Sequence, residues 1–322
     1  MVRILSADEV RSLLSLPDLL DVVEDAFRRQ GRGAVERPPR PHFPVGTGLV
    51  DAPGTGLTMP AYLHGEATYA TKLVTVQPAN AARGLPTTRA QVVVTDAETG
   101  ECLALLAGEP VTNARTGCIG GTAVRHLAAT PVRLGLLGAG AQARWQARAV
   151  DAAVPLGSVR VYSPSDSRER CAATLDAELG ADVRAVDAPE AAVADATVVV
   201  TATTSETPVF PGAALADGTL VVAVGAYTSA MRELDGETVA RAARVFADVP
   251  EEAADVGDVA DAGLSEEDLL PLSAVFEGEA GRAREEEVLV VESVGSAVLD
   301  AAAAGMVYER AQEEGVGTDV PL

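Results

Sequence analysis

The chain has 322 residues, of which 48% are hydrophobic, and its 47 acidic and 25 basic side chains give a formal net charge of −22. This length favours two compact lobes over one. The negative charge excludes nucleic acid as an expected partner, because it repels phosphate backbones. No apolar run reaches the roughly 20 residues of a membrane helix. We therefore expect no membrane association.

The cysteines and the N-terminal residues indicate in which cellular compartment the protein is expected. The N-terminus lacks the apolar stretch of a secretion signal. Cys102, Cys118 and Cys171 are odd in number and scattered, without a Cys-x-x-Cys pair. This pattern indicates neither a disulfide framework nor a zinc site. We expect a cytoplasmic protein without a bound metal.

The basic residues are unusual in kind, because Lys72 is the only lysine and all the others are arginines. An acidic surplus with almost no lysine suits a surface in concentrated salt, where salt screens self-repulsion. A halophilic origin is one explanation and compositional drift is the other. Lysine can lose its proton when desolvated, whereas arginine in effect cannot. The one retained lysine is therefore a candidate for chemistry.

The first part of the chain is predicted to be rich in strands. Pro17 opens a helix whose apolar positions follow helical spacing, namely Leu19, Val22, Val23, Ala26 and Phe27. Four prolines in 36–44 predict an extended stretch without regular hydrogen bonding. Alternating apolar runs then predict strands at 69–76, 91–96 and 102–106. A helix is expected from near Asn113 to Ala129, with Arg115 in its first turn.

After Pro131, short apolar runs alternate with helical stretches, which is typical of a parallel sheet covered on both faces. The runs are 132–137, 159–162, 183–186, 197–201, 220–224 and 245–247. The acidic segment 248–268 is predicted to be a surface loop and helix. Residues 287–291 fit one more strand, and 294–312 fit a long helix.

These elements predict an α/β fold in two parts. One part is a doubly wound parallel sheet of the Rossmann type, expected over 126–295. The other is a strand-rich α+β lobe for substrate binding and dimerisation, expected over 1–125. The C-terminal segment 296–322 is expected to pack back on this lobe.

A glycine-rich turn follows the first run of the predicted Rossmann domain. The sequence from Gly138 to Ala143 reads G-x-G-x-x-A between a strand and a helix. Gly138 allows the tight turn, Gly140 lets the backbone approach a pyrophosphate, and Ala143 permits close packing. A helix is expected over 144–153, and the free N–H groups and the dipole at its N-terminus favour an anion. Ala141 and Gln142 lie in the turn beside this N-terminus. The motif predicts a dinucleotide cofactor.

The second strand of the predicted domain bears on cofactor choice. NAD-specific sites usually carry Asp or Glu at the tip of this strand. Here the tip carries hydroxyls and then a guanidinium, from Ser163, Ser165 and Arg168. Such donors suit a 2′-phosphate, so NADP(H) is favoured. Asp166 leaves NAD(H) possible.

The order of motifs along the chain closely resembles the ornithine cyclodeaminase/mu-crystallin family, which includes archaeal alanine dehydrogenases and ketimine (pyrroline-2-carboxylate) reductases. The resemblance covers essentially the whole chain. It is carried by segments 70–75, 78–80, 84–87, 96–100, 112–117, 138–143, 232–235 and 292–300.

The resemblance implies roles for individual residues. Lys72 would lie near the substrate, where it could donate a proton or polarise a C=N or C=O bond. Arg40 and Arg115 would hold the substrate carboxylate, a task suited to a two-pronged guanidinium, although Arg37 competes with Arg40 for this role. Thr87 and Arg115 would lie near the nicotinamide. The remaining expected cofactor contacts are strand-end residues that line or close the crevice, namely Thr201, Ala202, Thr203, Val224, Ser293 and Val294.

The chain departs from the cyclodeaminases of this family at two places. They carry an aspartate where Tyr227 stands here, and an acidic residue before a Met-Pro pair, which here reads Gly56-Leu57-Thr58-Met59-Pro60. A phenol with a pKa near 10 is a poor general base at neutral pH. Both departures resemble the reductase branch.

We therefore expect an NAD(P)H-dependent oxidoreductase that reduces the C=N bond of a small imino acid and assembles as a homodimer. Alanine dehydrogenase is the first alternative, and ornithine cyclodeaminase is the next. A non-catalytic protein that binds a nicotinamide nucleotide or a small ligand is the alternative of another class. The sequence does not identify the imino or amino acid.

Overall fold

A computed structural model of the protein describes residues 1–49 and 54–321. Contacts within the chain define two compact units. Unit 1 consists of Met1–Ser15, Arg32–Arg115 and Ala297–Leu322, and unit 2 consists of Leu16–Gly31 and Thr116–Ser296. The C-terminal helix therefore belongs to unit 1, whereas the first long helix belongs to unit 2.

The strands in the described part of the chain are β1 (Val2–Leu5), β2 (Val35–Glu36), β3 (His42–Val45), β4 (Gly54–Leu63), β5 (Thr68–Val76), β6 (Thr88–Asp96), β7 (Cys102–Ala107), β8 (Val132–Leu137), β9 (Leu156–Tyr162), β10 (Asp182–Ala185), β11 (Val198–Thr201), β12 (Leu220–Ala223), β13 (Ala242–Ala247), β14 (Leu269–Pro271), β15 (Val288–Glu292) and β16 (Thr318–Val320). The α-helices there are α1 (Ala7–Leu13), α2 (Leu16–Gly31), α3 (Gly108–Leu127), α4 (Ala141–Ala153), α5 (Ser167–Glu178), α6 (Pro189–Val193), α7 (Gly236–Arg241), α8 (Pro250–Ala253), α9 (Gly257–Ala260), α10 (Ser273–Phe276) and α11 (Ala297–Glu314).

Unit 1 is built on a mainly antiparallel sheet with the strand order β16-β1-β7-β6-β5-β4-β2, and β3 pairs with β4. Helix α11 packs on β4, β5 and β6. Side chains of a strand alternate between the two faces of a sheet, and on β5 Ala70 and Lys72 are buried whereas Leu73 is exposed. Lys72 is therefore on a buried face, with Met59 and Val92 as its neighbours on the adjacent strands.

Unit 2 contains a fully parallel sheet with the order β10-β9-β8-β11-β12-β15-β13-β14. The chain moves outward in one direction from β8 to β9 and β10, and in the other direction through β11 and β12. This reversal creates a crevice at the carboxyl ends of β8 and β11, which is where doubly wound sheets bind their ligands. The predicted fold class is confirmed.

The predicted structure of the proline-rich stretch was wrong in part, because β3 is a regular strand. His42, Phe43 and Pro44 pair with Leu57, Gly56 and Thr55 of β4. A strand at an edge uses the hydrogen-bonding groups on one side only, so the missing N–H of a proline can be tolerated there. The phenylalanine ring fills the space over Gly56, where an added Cβ would lie 2.6 Å from a ring carbon.

Two further predictions about local structure need correction. Helix α3 begins at Gly108, five residues before the predicted start, so Arg115 is not in its first turn. Pro110 lies within the first turn, where a missing N–H costs nothing. The acidic segment 248–268 does contain short helices, but Asp248 and Asp258 are buried. Each accepts hydrogen bonds from backbone N–H groups, which compensates the burial of a carboxylate.

Candidate functional site

The glycine turn lies at the carboxyl end of β8, beside the end of β11. Gly138 has φ +113°, a conformation that favours glycine. A Cβ at this position would lie 2.5 Å from the carbonyl oxygen of Ala202. The backbone N of Ala202 donates to the carbonyl oxygen of Leu137 at 2.9 Å. Two of the predicted cofactor residues, Gly138 and Ala202, are thus held in contact at the reversal point of the sheet.

The next glycine opens onto free space. Gly140 is the N-cap of α4 and caps it without a side chain, and a Cβ built on it would meet no atom within 4 Å. The side-chain nitrogen of Gln142, in the first turn of the helix, is buried and has no hydrogen-bond partner among the described residues. Uncapped N–H groups and an orphaned donor at a helix N-terminus fit an anionic group such as a pyrophosphate. A dinucleotide therefore fits this turn.

Replacing Gly140 by alanine should weaken NADH and NADPH binding by about tenfold or more, which corresponds to about 1.4 kcal/mol. The added methyl group would occupy the open space that a pyrophosphate needs, whereas the fold has room for it. Titration calorimetry measures the effect. Gly180→Ala is the matched control, because a Cβ at Gly180 also meets no atom within 4 Å. Equal affinities in the two variants would contradict the assignment.

Buried carboxylates hold the ends of the central strands. Glu233 accepts hydrogen bonds from the Thr201 hydroxyl at 2.8 Å, the Thr203 N–H at 2.6 Å and the Gly225 N–H at 2.8 Å. The Val224 N–H donates to the Thr201 carbonyl. The Thr201 side chain thus points at Glu233. Burial raises the pKa of Glu233, although these hydrogen bonds oppose the shift.

Asp248 is a second buried carboxylate, and it accepts hydrogen bonds from the residues that follow β15. It accepts from the Ser293 hydroxyl at 2.7 Å and from the N–H groups of Val294 at 3.0 Å and Gly295 at 2.8 Å. The Ser293 N–H also donates to the carbonyl of Ala223. Ser293 and Val294 therefore lie at the same sheet edge as the end of β12.

Glu292, the last residue of β15, is buried in unit 2 and neither of its carboxyl oxygens has a hydrogen-bond partner within residues 1–49 and 54–321. Burial raises its pKa well above the ordinary value, and the negative charges of Asp258, Glu233 and Asp248 add to this shift. Burial and these neighbouring charges therefore favour the protonated form of Glu292.

The tip of β9 carries the hydroxyls and the guanidinium predicted from the sequence. The Ser167 hydroxyl lies 3.1 Å from that of Ser163 and 2.8 Å from that of Ser165. Arg168 donates to the carbonyl of Ser163 and pairs with Asp187 at 3.1 Å. Ser163, Ser165 and Arg168 are thus brought together at the N-terminus of α5.

Two of the predicted substrate residues, Lys72 and Arg115, lie in unit 1 and both contact Asp300. We call these three residues the Lys72 cluster. The Lys72 ammonium lies 2.6 Å from Asp300 Oδ2, and Arg115 Nε lies 3.1 Å from Asp300 Oδ1. All three side chains are at most 5% exposed. Thr112 also donates to Asp300 Oδ1, at 3.3 Å. Asp300 lies in segment 292–300, which carries part of the family resemblance, but no role was predicted for it.

The charges of the cluster depend on one another. Burial lowers the pKa of Lys72 to about 8, Asp300 opposes this shift, and the positive charges of Arg115 and Arg40 add to it. Burial would raise the pKa of Asp300, but Arg115 and Lys72 outweigh it and hold this pKa below the ordinary value. The cluster thus contains two cations and one carboxylate, so it carries a positive excess.

Arg115 has spare hydrogen-bonding capacity. Its Nη1 is buried and has no partner in the described part of the chain. A buried guanidinium nitrogen without an acceptor costs free energy, and a planar guanidinium matches a carboxylate. The site can therefore bind a small carboxylate. Thr87, the remaining predicted residue of unit 1, is exposed immediately before β6.

Among the described residues, no group of three or more His, Cys, Asp or Glu side chains is arranged to hold a metal ion. None of the described helices combines the length and the apolar character needed to cross a membrane.

A glycine turn at the reversal point of a parallel sheet defines a dinucleotide-binding protein of the Rossmann class. The sequence pattern of the ornithine cyclodeaminase/mu-crystallin family matches residues 2–315. The chain therefore belongs to this family, and the predicted family is confirmed.

Individual relatives match over nearly their whole length. The Delta(1)-pyrroline-2-carboxylate reductase of Bacillus cereus is 32% identical over 98% of this chain and 99% of that protein. The solved structure of the Thermococcus litoralis enzyme of the same name, in complex with NADH and L-proline, is 31% identical, with a TM-score of 0.93 over 99% of this chain and 100% of that chain. An archaeal alanine dehydrogenase, solved as a dimer with bound NAD, is 30% identical, with a TM-score of 0.90 over 99% of both chains.

Proposed function

We propose that the protein is an NAD(P)H-dependent reductase of a small imino acid, with a C=N bond next to a carboxylate, such as pyrroline-2-carboxylate. The observation that carries the proposal is the Lys72 cluster, with its positive excess and the unpartnered Nη1 of Arg115. The predicted enzyme class and reaction agree with the relatives, of which one is a reductase of this imino acid and another was solved with NADH and proline.

The residues of the cluster have distinct tasks in this reaction. Arg115 and Arg40 bind the carboxylate, and Lys72 donates a proton to the imine nitrogen, directly or through a water. The cofactor, when bound, supplies the hydride. Of the two candidate arginines in 36–44, Arg40 is supported by its effect on the pKa of Lys72.

A substrate panel tests the proposal. The panel consists of pyrroline-2-carboxylate, piperideine-2-carboxylate, pyruvate with ammonia, and ornithine, each with NADH and with NADPH. We expect the cyclic imines to be reduced fastest. Binding of a nucleotide without turnover of any substrate would favour the non-catalytic alternative, and would contradict the proposal.

Alanine dehydrogenase is the second candidate, because the archaeal alanine dehydrogenase resembles this chain almost as closely in structure. The same imine chemistry serves both reactions, with ammonia and pyruvate forming the imine. Faster turnover of pyruvate with ammonia than of either cyclic imine would favour this candidate.

The cofactor is held by Gly138, Gly140, Ala141 and Gln142 at the pyrophosphate, with Thr87 and Arg115 near the nicotinamide. NADP(H) is favoured, because three hydroxyls and Arg168 gather at the tip of β9. The NADH and NAD bound by the solved relatives keep NAD(H) as the alternative.

Arg168→Ala should lower the ratio of kcat/KM for NADPH to that for NADH by about tenfold, because a hydrogen bond to a charged group contributes about 1.5–3 kcal/mol. Steady-state kinetics with both cofactors measure the ratio. Arg170→Ala is the matched control, since Arg170 is an exposed arginine of the same helix. An unchanged ratio in Arg168→Ala would remove this residue from cofactor selection.

The protein is also proposed to be a cytoplasmic homodimer formed through unit 1, in a halophilic organism. The dimeric archaeal relative supports the assembly, and the acidic, lysine-poor composition supports the halophilic environment. Strand-rich lobes leave edges and faces that need cover.

We expect sedimentation velocity at micromolar concentration to give a dimer in at least one of two buffers, of low and of multimolar salt. Salt screens the repulsion between acidic surfaces, so the dimer should be the more stable at high salt. A monomer in both buffers would exclude the proposed assembly.

A further inference from the structure

Asp300 lies in the first turn of α11 and is the point at which the Lys72 cluster converges. Its carboxylate is fully buried and accepts hydrogen bonds from three side chains on two other elements. Lys72 of β5 donates to Oδ2, and Arg115 of α3 and Thr112 of the same helix donate to Oδ1. Both oxygens are therefore used within unit 1, so Asp300 has little capacity left for a ligand.

The contacts of Asp300 determine which donors remain available. Arg115 uses Nε for Asp300, which leaves its terminal nitrogens, including the unpartnered Nη1, for another acceptor. An ammonium has three N–H donors, and Lys72 directs one of them at Asp300. The carboxylate thus holds one side of each cation and leaves the other side free for the substrate.

Asp300 is also needed because of the charges around Lys72. Lys72 is buried between Met59 and Val92, two apolar neighbours, and faces the positive charges of Arg115 and Arg40. All of these surroundings disfavour an ammonium. Asp300 is the group that favours it.

We propose that Asp300 is a positioning residue of the reaction, which keeps Lys72 protonated and orients Lys72 and Arg115 towards a carboxylate-bearing imine. This inference rests on the proposed function. In the reaction, the imine carbon receives a hydride and the imine nitrogen receives a proton from the Lys72 ammonium. Lys72 is left neutral, and the Asp300 carboxylate remains ionised throughout.

The single lysine permits a direct test without turnover. Protein labelled with ¹³Cε-lysine contains one labelled side chain, since Lys72 is the only lysine, so its NMR shift against pH reports one pKa. In the wild type we expect a midpoint near the pKa of about 8. In Asp300→Asn the pKa of Lys72 should fall because a nearby negative charge is removed. The proton affinity of Lys72 should then be reduced about tenfold or more.

Activity provides the second readout. Lys72 donates a proton in imine reduction, so kcat should fall as the pH rises through the pKa of Lys72. In Asp300→Asn this falling limb should move to lower pH with the NMR midpoint. Glu309→Gln is the matched control, because it makes the same chemical change at an exposed position of α11, and both readouts should stay at wild-type values.

A folded Asp300→Asn protein with an unchanged or higher Lys72 midpoint would overturn the inference. If this variant does not fold, Arg115→Gln replaces it, and the Lys72 midpoint should then rise because a positive charge is lost. No change there would also overturn the inference. A shifted midpoint in a protein that reduces no imine would instead leave Asp300 in its role towards Lys72 and refute the proposed function.

Discussion

Replacing Lys72 by alanine should abolish imine reduction while leaving cofactor affinity within a few-fold of the wild type. Loss of a positioned acid–base group costs about 10²–10⁴-fold in rate. The dinucleotide turn belongs to unit 2, whereas Lys72 belongs to unit 1. Single-turnover reduction of pyrroline-2-carboxylate measures the rate, and titration with NADPH measures the affinity.

Lys72→Arg separates charge from proton transfer. An arginine keeps the positive charge but cannot release its proton near neutral pH, so the variant should bind the substrate and turn it over slowly.

In the wild type, proline oxidation should rise as the pH passes the pKa of Lys72 of about 8, because the reverse reaction needs the neutral amine. A kcat near that of the wild type in Lys72→Ala would remove Lys72 from the mechanism.

Ornithine should not be converted to proline at a rate comparable to imine reduction. Cyclodeamination needs a carboxylate near the amino nitrogen, and Tyr227 stands at the position where cyclodeaminases carry that acid. Its absence should cost about 10²–10⁴-fold. Chromatography of the products after incubation with ornithine and cofactor measures proline and ammonia.

Glu233, an acidic residue of the same part of the chain, is already engaged elsewhere. Glu233 is 0% exposed, and its two oxygens accept three hydrogen bonds from the ends of β11 and β12. Tyr227, by contrast, is 56% exposed. Tyr227→Asp should therefore raise ornithine turnover relative to Tyr227→Asn, which has nearly the same shape without the charge. Proline formation by the wild type at the rate of imine reduction would return the protein to the cyclodeaminases.

The dinucleotide turn and the parallel sheet could be predicted because their signals are local. The run at 132–137 coincides with β8, and the glycines that follow it predict the turn. Helix α4 begins at Ala141, three residues before the predicted start at 144. The sequence predicts no strand at β3, because its prolines lack a backbone N–H. A strand at the edge of a sheet tolerates this missing donor.

The partners of the site residues could not be predicted in the same way. Lys72 and Asp300 are separated by 228 positions, and no local pattern says which acidic residue neutralises the lysine. The sequence predicts a surface position for Asp248, because this residue begins the acidic segment 248–268. Its burial follows from N–H groups at 294 and 295 that need an acceptor, a requirement that only the folded chain reveals.

Unit 1 is assembled from three separate segments, and α11, which carries Asp300, belongs to the last of them. During synthesis on the ribosome, every segment of unit 2 exists once residue 296 has been made, whereas unit 1 still lacks the helix that covers β4 and β5. Domains fold as units during synthesis as their segments become available. The nucleotide-binding sheet can thus form first, and the ammonium of Lys72 meets the Asp300 carboxylate only after α11 has been made.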